Sequence, residues 1–381
     1  MATEPIHQLP SGRWELRYRD PNGRPRRQRF DTKGAAKDHL AEVRTKGRTG
    51  TWVAPELGRM TFGKWVDEWW GTNVHLRSAT RTRYNRDLKL HIRPRFERAP
   101  LAKITPRDVR AWLSEMQASG IPASSIRRRF SVFRKVMGDA VAMDMIARTP
   151  CRGVTPPADT RLDITVLSAA EVGQLAAAMP AWCQSWVWVA AYTGLRWSEM
   201  IGLQRRDIDL LRKTLTVHRQ IIEVGSKFEG FGEPKTAAGR RSIDLPAFLC
   251  KMLETQLAER AQPGVEGLVF VNTRGNPPHL SSFTSQTWKK AREKIGRPDL
   301  RWHDLRHTAV ALAIANGAHP KSIQERMGHS SITVTLDRYG HLFPSLGVAV
   351  ADALEATYQL AVTGTEASGA TVTDIDSATR K

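Results

Sequence analysis

Four short stretches of the chain hold reactive side chains in tight local contexts: TGLRWSEM (193–200), EPKTAAGRRSIDLP (233–246), RWHDLRHTA (301–309) and RMGHSSITVTLDRYGH (326–341). Between them they supply arginines, a lysine, histidines and a tyrosine. Guanidinium forks donate several hydrogen bonds to non-bridging phosphate oxygens and stay charged at any relevant pH. An imidazole, with an unperturbed pKa of about 6.5, can relay a proton. A phenol, with a pKa of about 10, is a poor nucleophile unless a base or nearby cations favour the phenolate. Such a set could stabilise charge, move a proton and attack phosphorus. No P-loop lysine motif, no carboxylate cluster suited to two Mg²⁺ ions and no Gly-x-Ser-x-Gly elbow is visible, which makes metal-dependent nucleases and transposases poor readings.

These stretches resemble the tyrosine recombinases, and more closely the phage-type integrases. The arginine box, the His-x-x-Arg box, the Gly-His pair and a tyrosine ten residues after that histidine stand in the family's order across roughly residues 190–345. The resemblance implies that Arg196 and Arg306 hold a scissile phosphate, where preorganised donors contribute several kcal/mol each. Glu199, three residues from Arg196, is read as orienting it rather than touching DNA. His303, one turn before Arg306, is the expected acceptor or relay for the tyrosine proton, and His329, after Gly328, the expected donor to a phosphate oxygen. The family usually has Leu where this chain has Met327, a change of core filling. His307 and His341 are read as packing or hydrogen-bonding partners.

Lys235 matches the lysine of the family's β-hairpin, where an ammonium could protonate the leaving 5′ oxygen; Lys227 is the competitor but lacks the PKTxxGRR surroundings. Of the five tyrosines, Tyr18 falls in an N-terminal hairpin, Tyr84 on a basic helix, Tyr192 on an apolar helix and Tyr358 on a final amphipathic helix. Tyr339 alone follows a Gly-His turn, with Arg338 beside it, and is the expected nucleophile. Attack would leave a 3′-phosphotyrosyl link and a free 5′ hydroxyl. Bond energy stays in that link, so neither a nucleotide cofactor nor a metal is expected.

Positioning these groups takes more than one domain, because a 381-residue chain exceeds the usual limit of a single core. The 58 Lys and Arg against 38 Asp and Glu give a net charge of +20, which favours a polyanionic partner through counterion release. Cys151, Cys183 and Cys250 are scattered without CxxC spacing, as expected of small core residues in a reducing compartment. The start, MATEPIHQLPSGRWEL, has no basic-then-apolar signal pattern, and no apolar run approaches the ~18 residues of a membrane span. The expected place is the cytoplasm of a bacterial host, at the nucleoid.

The fold class expected is mainly α with small β-sheets. Residues 1–55 read as a basic β-hairpin (12–20 and 24–30 around Pro21-Asn22-Gly23) with a helix from Lys33 to Lys46 capped by Thr32. By resemblance this is an arm-type DNA-binding domain. Residues 60–150 read as four or five helices, with Phe62, Trp65, Val66, Trp69 and Trp70 as a core stripe. The helix at 78–91 carries Arg81, Arg83, Arg86 and Lys89, and that at 124–141 opens with Arg127, Arg128 and Arg129. Residues 60–163 hold 20 Lys and Arg against 10 Asp and Glu, half of the net charge, so these arginines are the expected DNA contacts. Any single one could equally be a solvated helix face. By resemblance this is the helical, SAM-like core-binding domain that forms a clamp on the duplex with the catalytic domain.

Residues 151–163, with two prolines, read as an exposed linker, and a mixed α/β catalytic domain is expected over 164–362. It would open on a capping box at Ser168 and Glu171 and carry strands at 211–224 and 239–246. Residues 363–381 read as a disordered tail. The implied partners are double-stranded DNA carrying attachment sites and three further copies of the chain, in a homotetramer assembled on DNA. An excisionase or host DNA-bending protein is the implied helper. The expected function is site-specific DNA recombination that integrates, and with a helper excises, phage or other mobile DNA. The alternatives are a chromosome-dimer-type recombinase, a type IB topoisomerase, or a DNA-binding regulator without catalysis; the basic N-terminal hairpin favours integration.

Overall fold

The computed structural model describes residues 5–50, 52–73, 76–158, 164–225, 227–234, 236–342 and 347–363. They fall into two compact units, Met1–Leu162 and Asp163–Lys381.

The first unit opens with three antiparallel strands, β1 (Ile6–Gln8), β2 (Trp14–Arg19) and β3 (Pro25–Phe30), in the order β1-β2-β3. The expected hairpin is β2-β3; β1 is an addition that three residues are too few to announce. Alternation along β2 turns Leu16 into a small core with Ile6 and Ala36. The buried Asp20 carboxylate accepts from the backbone of Asn22 and Arg24, and Gly23 supplies the positive φ that closes the turn. Helix α1 (Lys33–Arg48) follows, with Thr32 accepting from the Ala35 amide at 3.1 Å.

After a short α2 (Pro55–Arg59), Thr61 caps α3 (Phe62–Thr72), whose Phe62, Trp65, Val66 and Trp69 are buried. Helix α4 (Ser78–Asp87) runs on through a π turn at Leu88–Ile92 into α5 (Arg93–Phe96), so the expected helix at 78–91 is longer than its polar face suggested. Helices α6 (Pro106–Ala118), started by a Thr105/Asp108 capping box, and α7 (Ala123–Ala142) complete the helical core. The expected linker at 151–163 needs correction at its start. Cys151 and Val154 are buried in this core, because apolar side chains flanking the polar stretch find a surface there. Residues 159–163 lie outside the described residues.

In the second unit the Ser168/Glu171 capping box starts α8 (Ala169–Ala178) as expected. Helix α9 (Gln184–Thr193) ends on Gly194, and α10 (Trp197–Ile201) follows. The stretch 211–224 is not one run of strand. β4 (Ile208–Asp209), β5 (Thr214–Val217) and β8 (Arg241–Asp244) form one sheet in the order β4-β5-β8, while β6 (Gln220–Val224) and β7 (Lys227–Gly232) form a separate hairpin. The break falls at His218-Arg219, where Arg219 turns to pair with the buried Asp207.

Helices α11 (Ala247–Glu259), α12 (Leu280–Phe283) and α13 (Lys289–Lys294) lead to α14 (Asp304–Ala315), α15 (Pro320–Met327) and α16 (Ile332–Tyr339). The main core is aromatic, with Trp186, Phe270 and Trp288 fully buried. The apolar-faced helix expected after Tyr339 is α17 (Gly347–Thr363). Beyond its last residue the expected tail lies outside the described residues. Among the described residues no helix is long and apolar enough to cross a membrane.

Candidate active site

Four helix ends and one strand bring the reactive side chains together. Gly194 closes α9 in the left-handed region (φ +69°), which turns the chain so that Arg196 stands just before α10. Gly328 closes α15 in the same way (φ +64°) and delivers His329. A side chain at 328 would also meet the Ala238 carbonyl oxygen at 2.7 Å, so glycine is required there for two reasons. Helix α14 carries His307 and Arg306, with His303 at its N-cap, and Tyr339 is the last residue of α16.

Glu199 is 2% exposed and gathers the arginines. Its Oε1 accepts from Arg196 Nη1 at 2.5 Å, and its Oε2 accepts from the Arg196 amide at 3.0 Å and from Arg241 Nη2 at 2.9 Å. Burial alone would raise its pKa, but Arg241 and Arg196 outweigh burial and hold it at about 2. The expected orienting role of Glu199 thus has a matching geometry. Arg241 extends the network, donating through Nε to the Arg326 carbonyl at 2.7 Å and through Nη1 to Gly239. In the sequence nothing marks Arg241 beyond its place in GRRSIDLP.

Arg306 is buried and donates to two backbone carbonyls, Gly194 at 2.5 Å and Met327. A guanidinium has five N–H donors, so others remain for an anion. Burial, then Arg196, lowers its pKa to about 9, which leaves it charged at neutral pH. The same two causes work on the histidines. Burial and then Arg306 and Arg196 bring His329 to about 4, and lower His303, which stays exposed, to about 4 as well. His329 Nδ1 lies 2.8 Å from Thr335 Oγ1. With that hydroxyl donating, the remaining ring nitrogen is an N–H donor.

Tyr339 is 1% exposed, packed with Val310, Ile323 and Met327. Its Oη lies 2.5 Å from His307 Nδ1. Burial raises its pKa, against the pull of Arg306 and Arg338. The reading of His307 as a hydrogen-bonding partner is sharpened, since its partner is the expected nucleophile itself. His303 instead meets His307 edge-on, 5.2 Å between ring centroids. Arg196, Glu199, His303, Arg306, His329 and Tyr339 are therefore all in the second unit around one centre. Lys235 lies outside the described residues. The competing Lys227 is exposed, at the start of β7.

The other arginines expected at DNA belong to the first unit and divide in two. Arg81, Arg83, Arg86 and Arg127 are exposed, with Arg81 over the Trp70 ring at 5.1 Å. Arg128 is instead a structural residue. Its Nε and Nη2 grip the fully buried Asp87 at 3.0 and 3.1 Å. Arg129 is half-buried, with Nη1 on Met116 Sδ, and burial lowers its pKa.

A guanidinium pair around a carboxylate, neutral imidazoles and a covered phenol on a mainly helical fold define the class of DNA strand-exchange enzymes that work through tyrosine. The comparisons agree. The Phage integrase family model matches residues 165–345, the Phage integrase, N-terminal SAM-like domain matches 61–117, and the Phage integrase, N-terminal domain matches 5–48. A prophage phiRv2 integrase of Mycobacterium tuberculosis is 34% identical over 347 residues, covering 88% of this chain and 90% of its own. The integrase of Mycobacterium phage L5 is 30% identical over 358 residues, covering 90% and 95%. Among solved structures, the Tn1549 transposon integrase in complex with transposon right end DNA matches with a TM-score of 0.68 at 20% identity, over 78% of this chain and 100% of that one. A lambda integrase dimer bound to a core site matches with a TM-score of 0.59 at 18% identity, over 90% and 95%. The chain belongs to the phage integrase family. It is a site-specific tyrosine recombinase of the kind that integrates phage or other mobile DNA.

Proposed function

We propose that Tyr339 attacks the scissile phosphodiester to give a 3′-phosphotyrosyl link and a free 5′ hydroxyl, and that the reverse attack rejoins the strands. The observation that carries this reading is that Arg306 faces the Tyr339 phenol and also acts on His329 and Arg196. Arg196 and Arg306 stabilise the charge that builds on the non-bridging oxygens, with Glu199 and Arg241 holding Arg196 in place. His329 donates to the phosphate, and Lys235 protonates the leaving 5′ oxygen.

Residues 1–55 serve as the arm-type DNA-binding domain and the helices at 60–150 as the core-binding domain; the matches to integrase N-terminal domains over 5–48 and 61–117 support both assignments. The catalytic domain extends over 164–362. The substrate is double-stranded DNA with attachment sites, in the cytoplasm of a bacterial host. Four copies assemble on it, as the lambda integrase tetramer does on a Holliday junction. An excisionase or host DNA-bending protein directs excision. The match over residues 5–48 favours integration above a chromosome-dimer role.

The test is a nicked suicide substrate carrying the cognate crossover site. The parent protein should become covalently linked to it, and Tyr339→Phe should bind without linking. Linkage by Tyr339→Phe would sink the nucleophile assignment.

A further inference from the structure

The family resemblance implies His303 as the partner of the nucleophile, but the hydrogen bond to Tyr339 is made by His307. The phenol oxygen and His307 Nδ1 are 2.5 Å apart, while His303 touches only the edge of His307. His329 uses its own Nδ1 on Thr335. In a bond of this kind the phenol donates and an unprotonated ring nitrogen accepts. With Tyr339 at 1% and His307 at 6% exposure, little water competes for either end. Arg306, beside His307 on α14, faces the same phenol, so one helix carries both a phosphate clamp and a proton acceptor.

We propose that His307 is a catalytic residue of strand cleavage: its Nδ1 takes the Tyr339 proton as the phenol oxygen attacks phosphorus, and returns it on rejoining. The inference rests on Tyr339 being the nucleophile. The O–H bond of Tyr339 breaks and its electron pair forms the new bond from Oη to phosphorus. The bond from phosphorus to the 5′ oxygen breaks in turn. That oxygen takes its proton from a separate donor, the role given to Lys235. No atom changes oxidation state.

The surroundings dictate when the proton moves. His307 is faced by Arg301, His303 and Asp304 from its own segment and by Arg338 and Tyr339 from α16. Burial, then His303, brings it to about 4, and burial holds the phenol above its ordinary value. Transfer in the resting protein is therefore uphill. It becomes favourable only as the phenol oxygen bonds to phosphorus and turns strongly acidic, with Arg306 and Arg338 favouring the anion. The Asp304 carboxylate steadies the imidazolium that forms. The resting enzyme thus keeps a neutral, covered tyrosine that ionises only against a bound phosphate.

The experiment measures single-turnover formation of the covalent complex by the full chain, from about pH 6 to pH 9. One suicide substrate has the normal 5′ oxygen and a second has a bridging 5′ sulfur, which leaves without being protonated. His307→Asn places an amide oxygen where Nδ1 accepts the hydrogen bond but cannot take up a proton; His307→Gln is the second variant should the first not fold. DNA binding and thermal unfolding are followed in parallel. The expected result is a loss of about 10²- to 10⁴-fold on both substrates with binding kept, and a rate that climbs with pH where the parent's has levelled. A variant within about threefold of the parent on both substrates would overturn the proposal. So would a loss that the 5′ sulfur restores, since that places His307 on the leaving group. Linkage surviving in Tyr339→Phe would remove the nucleophile assignment underneath, whatever the His307 variants do.

Discussion

Arg241 Nη2 donates to Glu199 Oε2 at 2.9 Å, joining β8 to α10 through two side chains that are both almost out of water. Arg241 also holds the carbonyl of Arg326, two residues before Gly328. One guanidinium thereby couples the loop that aims Arg196 to the turn that aims His329.

Removing Glu199 leaves the buried Arg241 guanidinium without a counter-charge, and removing Arg241 leaves Glu199 with Arg196 alone; breaking a buried pair usually costs about 3–5 kcal/mol. Arg241→Ala and Glu199→Ala should each lower the urea midpoint accordingly. Glu199→Gln keeps the shape and should fold better, yet lose covalent-complex formation by about tenfold or more as Arg196 loses its anchor. Parent-like cleavage by Glu199→Gln would remove Glu199 from the positioning of Arg196.

Gly328→Ala tests the turn itself. The left-handed φ costs an L-residue about 1–2 kcal/mol, and the new methyl would lie 2.7 Å from the Ala238 oxygen and 3.1 Å from Arg241 Nη1. We expect a lower melting temperature together with weakened cleavage, because His329 follows directly. An unchanged melting temperature would contradict the geometry.

Stability should fall in two acid windows. His307 and His329 have folded pKa values depressed from 6.5 to about 4, so the folded state binds fewer protons than the unfolded chain in that range. Their contribution is complete above 6.5 and lost as pH falls through about 4. Glu199, lowered from 4.5 to about 2, contributes fully above 4.5 and loses its share as pH falls through about 2. Unfolding midpoints followed from pH 7.5 to 2 should decline in both ranges, and Glu199→Gln should flatten the lower one. A level profile between 6.5 and 4 would mean that the histidines are not buried neutral.

The arginines of the first unit should separate by readout. Arg81→Ala and Arg127→Ala should weaken DNA binding and reduce the slope of log K against log salt by about 0.9 each, with stability kept. Arg128→Ala should instead destabilise the fold, because Asp87 is fully buried and loses its partner. If Arg128→Ala changed only the salt slope, the structural reading of that pair would fail.

Local signals in the chain were enough for much of this. Thr32 and Ser168 cap the helices they announce, and the stripe from Phe62 to Trp69 is core, because caps and periodicity act within a few residues. Arg196, His303, Arg306, His329 and Tyr339 were marked by resemblance to the phage-type integrases, whose motifs are short and local, so they can be recognised without the tertiary structure. The break at His218-Arg219 was hidden because it depends on Asp207, and the burial of Cys151 and Val154 because it depends on a core assembled elsewhere in the chain.

By itself the sequence determined which chemical groups are present and in what order, since motif spacing is a local property of the chain. Only the tertiary structure decided which groups touch. His307 lies 32 residues from Tyr339 and Arg241 lies 42 from Glu199, and no periodicity reaches across such distances. Packing of α15 against α14, α16 and β8 gathers the elements that carry these partners, and burial then sets their charge.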